Sequence, residues 1–214
     1  MKESRKIALT SDAIALKPKT LDFVQAASVP MVAMTAYQAL FDHADLKPGQ
    51  TVLIHAASGG VGMFAVQFAK WRGAHVIGTA SAANTEFVRS LGADQVIDYK
   101  VTPFEQVVQN VDVVLDTLDG DTQARSYSVL KPSGILLSTP APPDAQKAQE
   151  RGIRAEMVNM EISASLLEEI ANLLDSGQVK TVIAQTFSLS EARQAQELCQ
   201  SGHVRGKIVL QISA

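Results

Sequence analysis

The chain has 214 residues, of which 46% are hydrophobic, and its formal net charge at pH 7 is −3. That length and apolar content are sufficient to bury the core of one ordinary domain. Because the chain has no overall basic field, nucleic acid and acidic membrane surfaces are not expected as partners.

The cysteine count and the N-terminal residues predict the compartment. Cys199 is the sole cysteine, so an intramolecular disulfide is excluded, as is typical of a reducing compartment. The first residues, MKESRKIAL, lack the long apolar segment and the small-residue cleavage site of a secretion signal. No run approaches the roughly 18 apolar residues of a membrane span. We therefore expect a soluble cytoplasmic protein.

One short strand and two helices are predicted before residue 50. Residues 6–9 and residues 208–212 both have strand patterns outside the regular alternation, and we expect them to pair with each other. Residues 20–44 carry two helical patterns, with Thr20 as a cap of the first and Pro30 as the break between them.

The most informative stretch is residues 52–62, VLIHAASGGVG, in which an apolar run leads directly into a glycine cluster. A helical stripe at 3.6-residue spacing follows it: Val61, Phe64, Ala65, Phe68 and Ala69. The order strand, tight turn, helix directs free backbone N–H groups at a phosphate. A plain β-turn leading into a helix is the alternative, but the flanking strand and helix favour a nucleotide site.

The glycine turn fits the dinucleotide-binding fingerprint G-x-G-x-x-G in the frame Ala57-x-Gly59-x-x-Gly62. Gly59 lets the backbone approach a pyrophosphate, and Gly62 lets the helix pack closely on the strand. Ala57 stands where the first glycine is usual.

After this turn, strand patterns alternate with segments that are typical of helical crossovers. The strand patterns are at residues 75–79, 95–99, 112–116, 134–139 and 154–160. The alternation predicts an α/β fold with a mainly parallel sheet and helices on both faces. Residues 112–116 and 134–138 are almost entirely apolar, which predicts that they are central strands.

The C-terminal half contains two further predicted helices and one proline-rich loop. The helices are at residues 163–174 and 191–200, the second with a capping box of Ser188 and Glu191 and with Gly202 at its end. Residues 138–144, STPAPPD, follow a strand and are interpreted as a site-lining loop, with a rigid connector as the alternative.

Several motifs, in this order, resemble the medium-chain dehydrogenase/reductase superfamily, and its quinone oxidoreductase (zeta-crystallin-like) branch fits best. They are the segment 16–62, LGADQVIDY at 91–99, VVLDTLDG at 113–120, LKPSGILLS at 130–138 and GHVRGKIVL at 202–210. The resemblance implies a doubly wound, six-stranded Rossmann sheet that binds NADP(H). It also implies zinc-independent reduction of quinones, enones or related conjugated carbonyls.

The same resemblance implies a domain organisation. Members of the branch carry a GroES-like domain of roughly 100 residues before these motifs, a normal domain size, and this chain lacks most of it. Residues 1–19 are expected to be its remnant strand and linker, residues 20–201 the NADP(H)-binding Rossmann domain, and residues 202–214 the C-terminal strand.

The end of the second predicted strand indicates which nucleotide is bound. It reads Thr79-Ala80-Ser81, without the Asp or Glu that holds the ribose 2′-hydroxyl in NAD-preferring proteins, so NADP(H) is favoured over NAD(H). The next residues, 82–84, lack the Lys or Arg that relatives often add, which leaves Ser81, Asn84 and Tyr99 to bind the 2′-phosphate. Poor selectivity between the two nucleotides is the alternative.

The resemblance also assigns residues to the rest of the cofactor. Gly60 and Val61 would offer N–H groups to the pyrophosphate in a loop shaped by Ser58, Gly59 and Gly62. Thr35 would lie near the nicotinamide, and its ribose and carboxamide would be bordered by Leu118, Ser138 and Thr139. Structural alternatives are helix capping for Thr35, core filling for Leu118 and strand-end packing for Tyr99.

The cationic residues near the C-terminus leave two interpretations open. Arg205 and Lys207 could reach the cofactor or a partner, but a solvated charge pair is favoured.

The chain has no cluster of metal-ligating or catalytic side chains. Zinc requires Cys and His at short spacing, whereas the histidines are scattered: His43, His55, His75 and His203. The nicotinamide itself supplies the hydride, so no catalytic triad is required. By the resemblance, the groups that polarise the substrate come partly from the GroES-like domain, so no catalytic residue is assigned. Asp112, Asp116, Asp119 and Asp121 are given no acid or base role.

We therefore expect an NADPH-dependent oxidoreductase that transfers a hydride to a small-molecule quinone or conjugated carbonyl. A catalytically silent NADP(H)-binding module is the alternative. A methyltransferase is disfavoured because residues 79–81 offer no acid to the ribose hydroxyls. By the resemblance, a homodimer is expected, joined through the sheet edge at residues 154–160.

Overall fold

Parallel strands form the centre of the computed structural model, which describes residues 10–212. The six strands of the main sheet are β1 (Thr51–Ile54), β2 (His75–Ala80), β3 (Gln95–Asp98), β4 (Val111–Asp116), β5 (Leu130–Ser138) and β6 (Arg154–Met157). They are hydrogen-bonded in the order β3-β2-β1-β4-β5-β6, every neighbouring pair parallel. This is the Rossmann order, so the predicted fold is confirmed.

Eight α-helices connect or flank the strands in the described residues. They are α1 (Phe23–Ala27), α2 (Pro30–Gln38), α3 (Gly60–Trp71), α4 (Thr85–Ser90), α5 (Gly120–Ser126), α6 (Ala145–Arg151), α7 (Ala164–Asp175) and α8 (Ala192–Gln200). A π-helical turn, Ala39–His43, extends α2. None of these helices is long and apolar enough to cross a membrane.

The two faces of the sheet are covered by two separate hydrophobic cores. On β1, Val52 and Ile54 belong to one core and Leu53 to the other. On β4, Val113 and Val114 divide in the same way. Because side chains alternate between the faces and both faces are buried, these strands are apolar throughout, which is why their central position could be predicted.

A second, two-stranded sheet contains the predicted C-terminal strand. Here β7 (Ile183–Ser188) pairs in parallel with β8 (Lys207–Gln211). Residues 6–9, the partner that the sequence predicts for residues 208–212, lie outside the described residues, so that pairing stays a prediction. The sequence did not predict β7 because Phe187 is its only buried residue, so the strand has no clear apolar alternation.

The cap of α1 differs from the one that the sequence predicts. Asp22, not Thr20, begins this helix, because its side chain accepts a 2.7 Å hydrogen bond from the Gln25 N–H while the Gln25 side chain accepts one from the Asp22 N–H. Thr20 instead donates from its hydroxyl to Asp175. Pro30 is the first residue of α2, where its missing N–H costs nothing, so the predicted break is confirmed.

Other helix and strand ends agree with the sequence to within a few residues. The capping box of Ser188 and Glu191 is present, although it begins a 3₁₀ turn that precedes α8. Gly202 follows α8 with a positive φ of 71°. β6 ends at Met157 rather than at residue 160.

Candidate functional site

The glycine turn between β1 and α3 ends in a helix N-terminus that no side chain caps. Gly59 is the N-cap residue and has extended backbone, and α3 begins at Gly60. The Met63 N–H donates to the Gly59 carbonyl, which is the first hydrogen bond of the helix. The N–H groups of Gly60, Val61 and Gly62 therefore have no acceptor within the helix and can bind an anion.

The packing of α3 on β1 requires a glycine at residue 62. A Cβ at this position would lie 2.3 Å from the Ala56 carbonyl oxygen and 2.7 Å from the Ala57 Cα. Both are far inside van der Waals contact. Gly62 therefore lets α3 approach the end of β1, which places the free N–H groups of the helix at the C-terminal ends of the strands.

The structure also explains why the first fingerprint position can be alanine. The left-handed residue of the turn is Ala56, with φ 47°, so Ala57 needs no special backbone freedom. The methyl group of Ala57 is buried against β2, where a Cβ on Gly78 would lie 2.8 Å from it. Close packing at this point therefore requires a glycine at residue 78 on β2 rather than at residue 57.

A cavity of about 370 Å³ opens beside this turn. It lies where β1, β2, β3 and β4 end, next to the point where the strand order reverses between β1 and β4. Open α/β sheets bind ligands at such switch points. Six residues that the sequence assigned to the cofactor line it: Ser58, Gly59, Ser81, Asn84, Tyr99 and Leu118.

The other predicted site residues lie outside the cavity lining. Gly60, Val61 and Gly62 form the first turn of α3. Thr35 is buried in α2, and its hydroxyl donates to the Met31 carbonyl at 2.7 Å. Ser138, fully buried at the end of β5, accepts from the Gln123 amide at 3.0 Å. Thr139 donates its N–H to the Asp116 carbonyl.

His55 forms the inner wall of the cavity, although no sequence pattern marks it as functional. Its Nε2 is 2.9 Å from the Ser126 hydroxyl and its Nδ1 is 3.2 Å from the Thr79 hydroxyl. Phe104 packs against the ring edge to face, with centroids 4.6 Å apart. Burial, and next the charge of Arg125, lower the pKa of His55 to about 3, so the imidazole is neutral at physiological pH.

Asp116 anchors the turn that carries Leu118. Its carboxylate is buried at the end of β4 and accepts from the N–H groups of Leu118 and Asp119. Burial raises the pKa of the Asp116 carboxyl, although these hydrogen bonds oppose the shift. Gln123 connects it to Ser138, so the ends of β4 and β5 share one hydrogen-bond network.

The C-terminal segment lies across the glycine turn, which the sequence-based assignment of site residues missed. Gly202, His203 and Val204 line the cavity. The Gly206 N–H donates to the Ser58 carbonyl at 2.9 Å, and Gly59 and Gly206 form a parallel bridge. One sequence signal could have identified this segment. Residues 202–210 match a motif of the family although they lie far along the chain from the glycine turn, and such a match indicates a role at the shared site.

The donor groups of the described residues do not fit a zinc site. Residues 10–212 contain no group of three or more His, Cys, Asp or Glu side chains placed to hold a metal ion. His43 is hydrogen-bonded to Glu156, and His55 to Thr79 and Ser126.

Comparison with known proteins gives one family and a consistent set of relatives. The family model described as zinc-binding dehydrogenase matches residues 91–210, more than half of the chain. The mitochondrial NAD(P)H oxidoreductase RTN4IP1 of Danio rerio is 32% identical over 237 residues, which cover 96% of this chain and 61% of that protein.

Two solved structures share the fold. The quinone oxidoreductase from Coxiella burnetii is 37% identical, with a TM-score of 0.87, over 92% of this chain and 63% of that chain. The Escherichia coli quinone oxidoreductase complexed with NADPH is 28% identical, with a TM-score of 0.85, over 92% of this chain and 68% of that chain. The chain thus spans about three fifths to two thirds of the length of these relatives.

Proposed function

Because the chain belongs to the zinc-binding dehydrogenase family of the medium-chain dehydrogenase/reductase superfamily, we propose that it binds NADPH and transfers a hydride to a quinone or conjugated carbonyl, without zinc. The single observation that carries the proposal is the uncapped N-terminus of α3 beside the cavity at the sheet's switch point. This arrangement supplies N–H donors for a pyrophosphate and an adjoining volume for the adenosine half of a dinucleotide.

Different residues of the chain bind different parts of the nucleotide. Gly60 and Val61 donate N–H groups to the pyrophosphate, with Ser58, Gly59 and Gly62 shaping the turn. Leu118 borders the nicotinamide ribose, held in place by the Asp116 carboxylate. Thr35, Ser138 and Thr139 complete the nicotinamide side. When bound, the nicotinamide supplies the hydride, and the protein orients it and excludes water.

The preference for NADPH is part of the proposal. Ser81 occupies the end of β2 where NAD-preferring Rossmann proteins carry an acid, and no Asp or Glu is among the residues that line the cavity. No carboxylate in this lining would therefore repel a 2′-phosphate. Ser81, Asn84 and Tyr99 are the cavity residues that would hydrogen-bond it.

Two measurements on the same preparation test the proposal. Fluorescence titration measures NADPH binding, and steady-state assays measure NADPH oxidation with a panel of quinones and enones. Turnover that saturates with NADPH supports the proposal. Binding without turnover replaces it by the silent cofactor-binding module, and an absence of both rejects each of them.

A homodimer joined at the edge of the main sheet is also proposed. β6 is an outer strand, so the backbone groups on one of its sides have no strand partner within the sheet. Pairing of two such edges would satisfy these groups across a twofold axis.

The compartment stays a prediction from the sequence. The sole cysteine favours a reducing compartment, for which we propose the cytoplasm, whereas the relative from Danio rerio is named mitochondrial. Subcellular fractionation with a specific antibody distinguishes the two.

A further inference from the structure

Arg205 reaches the turn after β2 from the other end of the chain. Its Nε donates to the Asn84 side-chain oxygen at 2.8 Å, across 121 residues, and its Nη2 donates to the Ala83 carbonyl at 2.7 Å. The guanidinium also lies over the Phe87 ring, 5.1 Å from its centroid. Three contacts therefore fix a side chain that is otherwise exposed to solvent.

The guanidinium keeps donors for a further acceptor. It makes these two hydrogen bonds, and within residues 10–212 it forms no salt bridge with a carboxylate. Arginine presents its N–H groups as a planar fork, so the remaining donors point away from Asn84 and Ala83.

Arg205 lies beside the part of the cavity where the ribose 2′ position of a dinucleotide would bind. The Asn84 amide nitrogen is 3.2 Å from the Ser58 hydroxyl and 3.4 Å from the Ser81 hydroxyl, so Arg205 holds the residue that joins the glycine turn to the end of β2. The end of β2 is where Rossmann proteins distinguish the ribose 2′-hydroxyl from a 2′-phosphate. Val204, the neighbour of Arg205, lines the cavity.

We propose that Arg205 is the residue that selects NADPH over NADH, by pairing its guanidinium with the 2′-phosphate. The proposal rests on the proposed function, since it assumes a dinucleotide on the glycine turn. Residues 82–84 supply no cation, and the C-terminal segment supplies it instead. A guanidinium that is already oriented loses little entropy when it binds a phosphate through two hydrogen bonds.

Lys207 provides a matched control on the same segment. Its side chain passes over Gly60, where a Cβ would lie 2.7 Å from the Lys207 Cδ. The ammonium group therefore lies near the start of α3, where the pyrophosphate would bind. The pyrophosphate is common to NADH and NADPH, so loss of this charge weakens both nucleotides equally.

The test measures dissociation constants by calorimetry for NADPH and NADH with wild type, Arg205→Met, Arg205→Lys and Lys207→Met. For Arg205→Met, the NADPH constant should rise roughly tenfold to hundredfold, the effect of losing a charge-assisted pair, while the NADH constant stays within error. Arg205→Lys should fall between, and Lys207→Met should weaken both nucleotides by similar factors.

A second measurement needs no variant. Wild-type protein should bind 2′,5′-ADP more tightly than 5′-AMP, and the difference should shrink as salt is raised. If wild type binds NADPH but Arg205→Met keeps the wild-type ratio of NADPH to NADH affinity, the assignment of Arg205 is overturned and the proposed function stands. If wild type binds neither nucleotide, both are rejected together.

Discussion

Gly62 lies so close to Ala56 that a Cβ built on it would be 2.3 Å from the Ala56 carbonyl oxygen. Gly62→Ala should therefore destabilise the fold, because backbone of the turn, rather than a movable side chain, blocks the methyl group. We expect a loss of about 1–3 kcal/mol in the free energy of unfolding, as for other overpacked sites, measured by urea denaturation.

Gly60→Ala is the control for this steric effect. Its Cβ would meet the Lys207 Cδ at 2.7 Å and the Val32 Cγ1 at 3.2 Å, and a lysine side chain can move aside. This variant should unfold near the wild-type urea midpoint and bind NADPH more weakly, since the methyl group occupies the approach to the free N–H groups. Equal midpoints for Gly62→Ala and wild type would contradict the packing argument.

His55 predicts a specific acid dependence of stability. Its pKa is about 3 in the folded protein and 6.5 in the unfolded chain, so the unfolded state binds more protons between these values. Stability is therefore lost as pH falls from 6.5 towards 3. By pH 5 the loss from this residue should be about 2 kcal/mol.

The variant His55→Gln isolates that contribution because the carboxylates are common to both proteins. Between pH 7 and pH 5, wild type should lose about 2 kcal/mol more unfolding free energy than the variant. Parallel pH curves for the two proteins would show that His55 is not buried as a neutral imidazole.

A negative charge at residue 81 should reverse the nucleotide preference that Arg205 favours. Ser81→Asp places a carboxylate at the end of β2, where it can accept from a ribose 2′-hydroxyl and repel a 2′-phosphate. The ratio of NADPH to NADH affinity should fall by roughly tenfold or more. Ser81→Ala, which removes only a neutral hydroxyl, should change the ratio far less; the same shift in both variants would rule out the charge effect.

The sheet edge at β6 predicts an oligomeric state. The Val158 N–H donates to the Ser138 carbonyl on β5, so by alternation the Met157 N–H faces away from the sheet. Met157→Pro removes that outward donor without breaking a bond to β5. Wild type and Met157→Ala should sediment as dimers at micromolar concentration, and Met157→Pro as a monomer. A wild-type monomer, or a dimeric proline variant, contradicts the proposed interface.

The sequence predicted the main sheet because its strands are buried on both faces. Val113 and Leu115 face one core and Val114 the other, so β4 has an apolar run that no exposed segment would show. β7 lacks that signal because it pairs only with β8, in the small second sheet, and buries only Phe187. Thr20 and Asp22 are both helix-capping residue types and stand close together in the sequence, and the contact with the Gln25 side chain selects Asp22.

Some residues of the candidate site could be predicted from local sequence patterns, and others depend on contacts between distant segments. The glycine turn is a local pattern, so its residues could be named from sequence. Arg205 meets Asn84 only because β8 returns to the glycine turn, and no local pattern encodes a contact across 121 residues. His55 follows an ordinary apolar strand, and nothing in the neighbouring sequence distinguishes it. Its place in the cavity wall becomes evident from its packing against Phe104 in the structure.

Calorimetric titration of the folded chain with NADPH, NADP⁺, NADH and NAD⁺ tests the central claim most directly. Free N–H groups at the start of α3 should hold the pyrophosphate of these nucleotides, so we predict saturable binding of one nucleotide per chain, with NADPH the tightest. Absence of measurable binding by all four, in protein whose circular dichroism shows the α/β fold, would contradict the account.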